Sequence, residues 1–205
     1  MVQTSANKIK SDHSIPLPDN VFIDKDIYQA NWDNLFVKYT EWMASCHKVT
    51  KIEEDYKGDP LDVEMFKTIK WKISDEYMSN NTMNNITWVY PPEVNTITQN
   101  NTNQLNNWYR LEIVHRFEFS SILQKMSVIT SNEFDQNNAY TMFIKGSPEA
   151  ILDLWDKSTC PDEYEIVYKR YTQKGLRVIA LAYKNLTEFN LEDIEYIKRE
   201  DYETN

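Results

Sequence analysis

Cys46 and His47 are neighbours, and a thiol beside an imidazole is the pair from which a thiolate nucleophile is built. Their spacing argues against that use. Adjacent residues on a helix point about a hundred degrees apart, so the pair reads as a structural helix end. His13, His115 and Cys160 add no CxxC pair or histidine cluster of metal-ligand spacing. A GxSxG elbow and an HExxH helix are likewise missing. The only glycines are Gly58, Gly146 and Gly175, so neither GxGxxG nor the GxxxxGK(S/T) loop is possible, and no glycine-rich nest for a triphosphate can form. One glycine does stand at a chemically suggestive place. In Gly146-Ser147-Pro148-Glu149 a turn glycine, an N-cap serine and an N1 proline hand a strand over to a helix. Lys145 stands just before that helix N-terminus, where a positive charge gains nothing from the dipole, which favours a ligand role over a capping one.

The elements that must position these groups are legible from periodicity. Residues 1–27 are polar, contain Pro16 and Pro18, and read as an irregular lead-in. From Tyr28 to Lys48, Leu35, Phe36, Tyr39, Trp42, Met43 and Cys46 recur at spacings of three and four, predicting an amphipathic helix. Asp59-Pro60 announces a second helix, with Leu61, Met65 and Ile69 stacked on one face. The segment 80–107 is rich in Asn and Thr and reads as an insertion around one strand near Ile86–Tyr90. Leu111–Phe119 and Met126–Thr130 read as an antiparallel hairpin, and Tyr140–Lys145 as a third strand leading to a helix from Ala150 to Trp155. A helix over Glu163–Lys174 stops at Gly175, a buried strand follows over Arg177–Tyr183, and a last helix is expected over Leu191–Glu200. The fold class expected is α+β, an antiparallel sheet flanked by helices. The division is one domain over 28–200 carrying the insertion, with 201–205 as a tail.

Composition narrows the function. The chain has 205 residues, 41% of them apolar and 13% aromatic, enough for one core. A net charge of −10 argues against nucleic-acid binding, which needs a basic face, so any anionic ligand must find a local basic cluster. Two cysteines cannot build a disulfide framework and fit a reducing compartment. No apolar run approaches the length of a membrane helix or a signal peptide.

Four segments together resemble the nucleotide-binding domain of P-type ATPases. They are Lys57-Gly58-Asp59-Pro60-Leu61-Asp62, the run Phe117-Glu118-Phe119-Ser120-Ser121-Ile122-Leu123-Gln124-Lys125-Met126-Ser127-Val128-Ile129, then Phe143-Ile144-Lys145-Gly146-Ser147-Pro148-Glu149, and Gly175-Leu176-Arg177-Val178-Ile179-Ala180-Leu181-Ala182-Tyr183. The first is similar to the family's acidic helix start, the second to its central hairpin and the third to its KGxPE motif. GDPLD followed by a Met-Phe pair, with FSSxLQ and KGSPE, resembles the type V subfamily and its polyamine-exporting, endolysosomal branch. The family's DKTGT phosphorylation motif and its TGES-like motif are missing from the sequence, as are membrane helices, so the chain is expected to be a fragment of a transporter.

The resemblance implies roles. Phe119 is the ring on which adenine stacks, Lys145 and Gly146 line the adenine pocket, Arg177 sits near the phosphates, and Asp62 helps fix the adenine edge. Lys125 is a further contact, since Gln124 stands where many ion pumps carry a lysine; on an ideal strand those two face opposite sides. Bland readings stand beside these. Phe119 ends an alternating strand and could be core, Asp62 is also the third residue of its helix, where an acid is favoured without any ligand, and Arg116 with Glu118 reads as an exposed pair.

By resemblance the ligand is ATP with accompanying Mg2+, and the partners are the phosphorylation and actuator domains of a parent at the cytosolic face of a membrane, endolysosomal or vacuolar. No catalytic residue and no metal ligand are expected within the chain. A competing reading is an acidic protein-interaction module that ignores nucleotide. A stand-alone hydrolase lacks an assembled nucleophile and base.

Overall fold

The structure, a computed structural model, describes residues 37–76, 86–92, 110–132, 140–156, 158, 160–186 and 196–203. These residues belong to one compact unit within 33–205. The lead-in over 1–27, the start of the first predicted helix, most of the Asn-rich segment and residues 191–195 of the last predicted helix lie outside them.

The chain is helical over 37–45 (α1), followed by a hairpin of β1 (Thr50–Ile52) and β2 (Asp55–Lys57) that turns through Glu53 at φ 56°. α2 (Pro60–Ile69) begins as its sequence predicts: the Asp59 carboxylate accepts from the Leu61 amide at 3.0 Å and Pro60 fills the first helical position. Its buried face differs from the expected one. Asp62, Val63, Phe66 and Ile69 turn inward, while Leu61 and Met65 are only partly covered. α1 differs too: residues 40–47 are buried on every side, Glu41 and Ser45 included. A helix clasped all round shows no polar stripe to solvent, and Ser45 meets the cost by donating to the Glu41 carbonyl at 2.7 Å.

Six strands follow in simple order: β3 (Lys72–Glu76), β4 (Ile86–Tyr90), β5 (Leu111–Ser120), β6 (Lys125–Asn132), β7 (Tyr140–Gly146) and β8 (Ala180–Leu186), each antiparallel to its sequence neighbour. The strand inside the Asn-rich segment is therefore no appendage, because β4 pairs with β3 on one side and β5 on the other. β3 has no counterpart in the sequence reading. The link from β7 to β8 carries two helices, α3 (Pro148–Leu152) and α4 (Tyr164–Gln173). α3 is capped by Ser147, whose hydroxyl accepts from the Ala150 amide at 3.2 Å, and it ends before Trp155. α4 stops where Gly175 takes a φ of 77°, with Leu176 N–H donating to the Tyr171 carbonyl at 3.2 Å.

Alternation along the strands feeds two cores. Met126, Val128 and Phe143 pack with Trp42, Cys46, Val63 and Phe66 on the side of α1 and α2. Phe117, Ile129, Tyr140, Met142 and Leu186 form a second cluster, joined by Ile197 and Tyr202 from the end of the chain. With both faces covered, β6 and β7 are buried almost throughout. The last helix is short and late: residues 196–198 are not α-helical, and α5 spans Arg199–Tyr202. Glu203, placed in a tail by sequence, is buried.

Candidate nucleotide site

On the α1–α2 side of the sheet, a cavity of about 520 Å³ opens between the start of α2, the β5–β6 turn, the end of β7 and residues 177–179. Phe119, Lys145, Arg177, Asp62 and Gly146, named from distant parts of the sequence, all line it. Lys125 does not.

At the floor, Lys145 Nζ makes an ion pair with Asp62 Oδ1, each side chain about one-tenth exposed at 9% and 10%. β7 supplies the lysine at its last turn inward, opposite Met126 on β6, and α2 supplies the aspartate from its first turn. Buried charges persist when paired in this way. Gly146 follows because nothing larger fits: a Cβ there would stand 2.5 Å from the Gln124 carbonyl oxygen and 2.9 Å from Lys125 Cβ. That closeness lets the Gln124 carbonyl accept from the Ser147 amide at 2.9 Å, while the Ser147 hydroxyl donates to Gln124 Oε1 at 3.0 Å.

Phe119 lies at the mouth, 59% exposed. It owes this to a register shift, since Phe117 pairs with Ser127 but Ser120 with Lys125. One extra residue on β5 makes a bulge at Glu118–Phe119, a device that re-aims a side chain. A ring so exposed is not core. Glu118 meets Lys48 at 3.3 Å across the rim, and Arg177 is exposed opposite. The predicted strand over 177–183 is displaced: Arg177, Val178 and Ile179 precede β8 and line the cavity, and the strand itself is half covered.

Cys46 and His47 lie behind this floor. The Cys46 thiol donates weakly to the carbonyls of Phe143 and Met126 at 3.7 and 3.8 Å, and burial pushes it up to about 12. His47 packs edge-on against Phe66 with 5.0 Å between ring centroids, and its Nδ1 accepts from the Val49 amide at 3.0 Å. Burial first, then the charges of Arg116 and Lys145, lower it to about 3. Neither group offers a nucleophile or base at neutral pH, which agrees with a helix end.

Lys125 faces the other side of the sheet. It is buried against Glu203, 3.1 Å from Nζ to Oε2, as expected when Met126 beside it faces the cavity. Gln124 takes the turn position at φ 51° and reaches the cavity instead.

A sequence profile described as "P-type ATPase, cytoplasmic domain N" matches residues 76–205. The chain belongs to this family. Among curated proteins, domain N here is 34% identical over 179 residues to the polyamine-transporting ATPase 13A3 of Mus musculus, covering 82% of this chain and 14% of that protein. It is 32% identical over 191 residues to the probable cation-transporting ATPase 13A4 of Gallus gallus, covering 88% and 15%. A vacuolar cation-transporting ATPase of Saccharomyces cerevisiae shares 30% over 183 residues, covering 80% and 12%. The chain thus spans about a seventh of the length of the first of these relatives. The type V resemblance agrees with this set of 13A transporters.

The α+β class stands, with the antiparallel sheet flanked by helices. Among the described residues no helix is long and apolar enough to cross a membrane, and no group of three His, Cys, Asp or Glu is placed to hold a metal ion. The carboxylates lining the cavity of domain N are committed elsewhere: Asp59 to a helix cap, Asp62 to Lys145 and Glu118 to Lys48. Sequence reasoning assigned no site role to Lys48, Met126, Ser147, Val178 and Ile179. Val178 and Ile179 read as strand core, and Lys48 carried no signal beyond its charge.

Proposed function

We propose that domain N binds ATP by its adenine and leaves the γ-phosphate free for the aspartate of a phosphorylation domain outside this chain. The observation that carries the reading is the half-exposed Phe119 ring standing over a cavity floored by Lys145 and Asp62. An aromatic face offers a base about 1–3 kcal/mol of stacking, and the mixed apolar and charged lining suits a planar heterocycle with polar edges. Lys48 and Arg177 at the rim are the long cations available to the phosphates. Without a glycine nest the triphosphate stays accessible, which in-line transfer to another domain requires. An affinity of about 0.1 to 1 mM, or roughly 4 to 5.5 kcal/mol, suits such a one-sided site. Mg2+ accompanies the nucleotide.

In this reading the parent is a type V ATPase that hydrolyses ATP to move a cation, with a polyamine the first candidate because relatives carry that name. Domain N then faces the cytosol from an endolysosomal or vacuolar membrane and works with phosphorylation and actuator domains. The nucleotide-binding unit, expected over 28–200, then includes the end of the chain through Glu203, which is buried against Lys125 and Ser127.

A nuclear magnetic resonance titration of the labelled chain with ATP and with tripolyphosphate tests the reading. Shifts centred on Lys145 and Arg177 with ATP, a weak response to tripolyphosphate, and an affinity for ATP weakened about tenfold in Phe119→Ala are expected. A spectrum indifferent to millimolar ATP would favour the competing interaction module, for which the exposed Ile122 and Leu123 at the β5–β6 turn are the supporting observation.

A further inference from the structure

The bulge that turns Phe119 outward is held from the opposite side of the sheet. Glu118 and Phe119 have no register partner on β6. The Glu118 carbonyl accepts from Arg199 Nη2 of α5, and the same guanidinium lies 5.6 Å from the centroid of the Phe117 ring. Arg199 is itself fixed, with Nε 3.2 Å from Glu203 Oε1. The Glu203 side chain is 1% exposed and is held in turn by Lys125, at 3.1 Å, and by the Ser127 hydroxyl, which donates to Oε1. Ser127 is the residue of β6 paired with Phe117, and Lys125 the one paired with Ser120. The two ends of the register shift are therefore pinned to one buried carboxylate, while the carbonyl between them is pinned by the arginine which that carboxylate orients.

We propose that Arg199 is a positioning residue for Phe119, oriented by Glu203, and so sets the affinity of domain N for an adenine nucleotide without touching it. The inference rests on the nucleotide-binding reading above. Its physical basis is simple. A bulge leaves backbone groups outside the ladder, and here the freed Glu118 carbonyl is taken by a guanidinium that Glu203 holds in place, a charge-assisted bond of the stronger kind. A guanidinium can serve two acceptors at once through its planar fork, whereas a lysine ammonium cannot reproduce that span. Without Arg199 the bulge is free to relax toward regular pairing, which would flip Phe119 to another face.

The test is a double-mutant cycle on the full 205-residue chain, read as ATP dissociation constants by resonance titration. Arg199→Ala is expected to weaken ATP about tenfold, the scale of one charge-assisted hydrogen bond, and Arg199→Lys to weaken it in the same direction. In a Phe119→Ala background neither change should weaken ATP further, because the ring being positioned is gone. Core amides of Val128 and Phe143 that keep their shifts in Arg199→Lys would show that the fold persists, so the inference is decided there if Arg199→Ala unfolds. Unchanged affinity in Arg199→Lys with wild type binding, or an equal loss in the Phe119→Ala background, overturns the positioning role and leaves the binding reading intact. A wild-type chain silent to ATP overturns the binding reading and this inference with it.

Discussion

Lys145 and Asp62 neutralise each other at the floor of the cavity, one from the end of a central strand and the other from the first turn of α2. Charge in the site is thus arranged in two tiers, a closed pair below and the exposed Lys48, Glu118 and Arg177 above. A ligand meets dipolar edges at the floor and net charge only at the rim.

Breaking this pair has a structural cost. Lys145→Ala strands a buried carboxylate and is expected to lower stability by about 2–4 kcal/mol, somewhat under the value for a fully dry pair because the cavity admits water. Lys145→Ala with Asp62→Leu should recover most of that loss. Urea denaturation of the two variants checks it, and a double variant no more stable than the single one would contradict the assignment.

Acid should destabilise the domain through His47. Its folded value lies near 3, below the ordinary 6.5, so the unfolded chain takes up a proton that the folded chain refuses. The sign follows: stability is intact above pH 6.5 and falls as pH drops toward 3. Between neutral pH and pH 5 the loss from this group is about 2 kcal/mol. Denaturation curves at both pH values, compared with His47→Gln, should show a shallower acid dependence in the variant.

The two thiols should differ sharply in reactivity. Cys46 is buried, hydrogen-bonded and raised to about 12, whereas Cys160 is partly exposed. An alkylating reagent at neutral pH is expected to label Cys160 alone, with Cys46 following only in denaturant. Mass spectrometry of the labelled peptides reads the outcome directly.

Two glycines are required for different reasons, and substitution separates them. Gly146→Ala forces a Cβ into the Gln124 carbonyl and Lys125 Cβ, and should cost about 1–3 kcal/mol with displaced resonances along the β5–β6 turn. Gly175→Ala meets no atom within 4 Å but must hold φ at 77°, a conformational cost of about 1 kcal/mol. Gly175→Asn should be milder, and thermal melts of all three give the ranking.

Local signals were legible where the physics is local. Asp59-Pro60 and Ser147-Pro148 start helices because capping needs only the residues present there. Gly175 ends one for the same reason. β3 escaped notice because its inward residue among the described side chains is Ile73 alone, too little for a period of two to register. The strand predicted from Arg177 slid three residues because Val178 and Ile179 serve the cavity wall instead of the ladder. Within the cavity, Phe119, Lys145, Gly146, Asp62 and Arg177 were reached through motifs, and the structure brings those five together. Lys125 has the charge that the resemblance asks for at Gln124, but the facing of β6, with Met126 opposite Lys145, turns it to the other side of the sheet. Lys48 follows a buried helix end and joins the site by folding alone, so no spacing could announce it.

The sheet runs β3 to β8 without a crossover, and this bears on how such a domain tolerates change over evolutionary time. Each strand finds its partner next door along the chain, so no connection has to thread past another. A hairpin connection can then lengthen at a cost that grows only with the logarithm of its length, about 0.6 kcal/mol per doubling. The stretch between Tyr90 and Leu111, Asn-rich here, joins two adjacent strands and enters β5 at the end opposite to the one that carries Glu118 and Phe119 to the cavity. A change in its length or composition is expected to leave the register of β5 to β7, and with it the cavity wall, untouched.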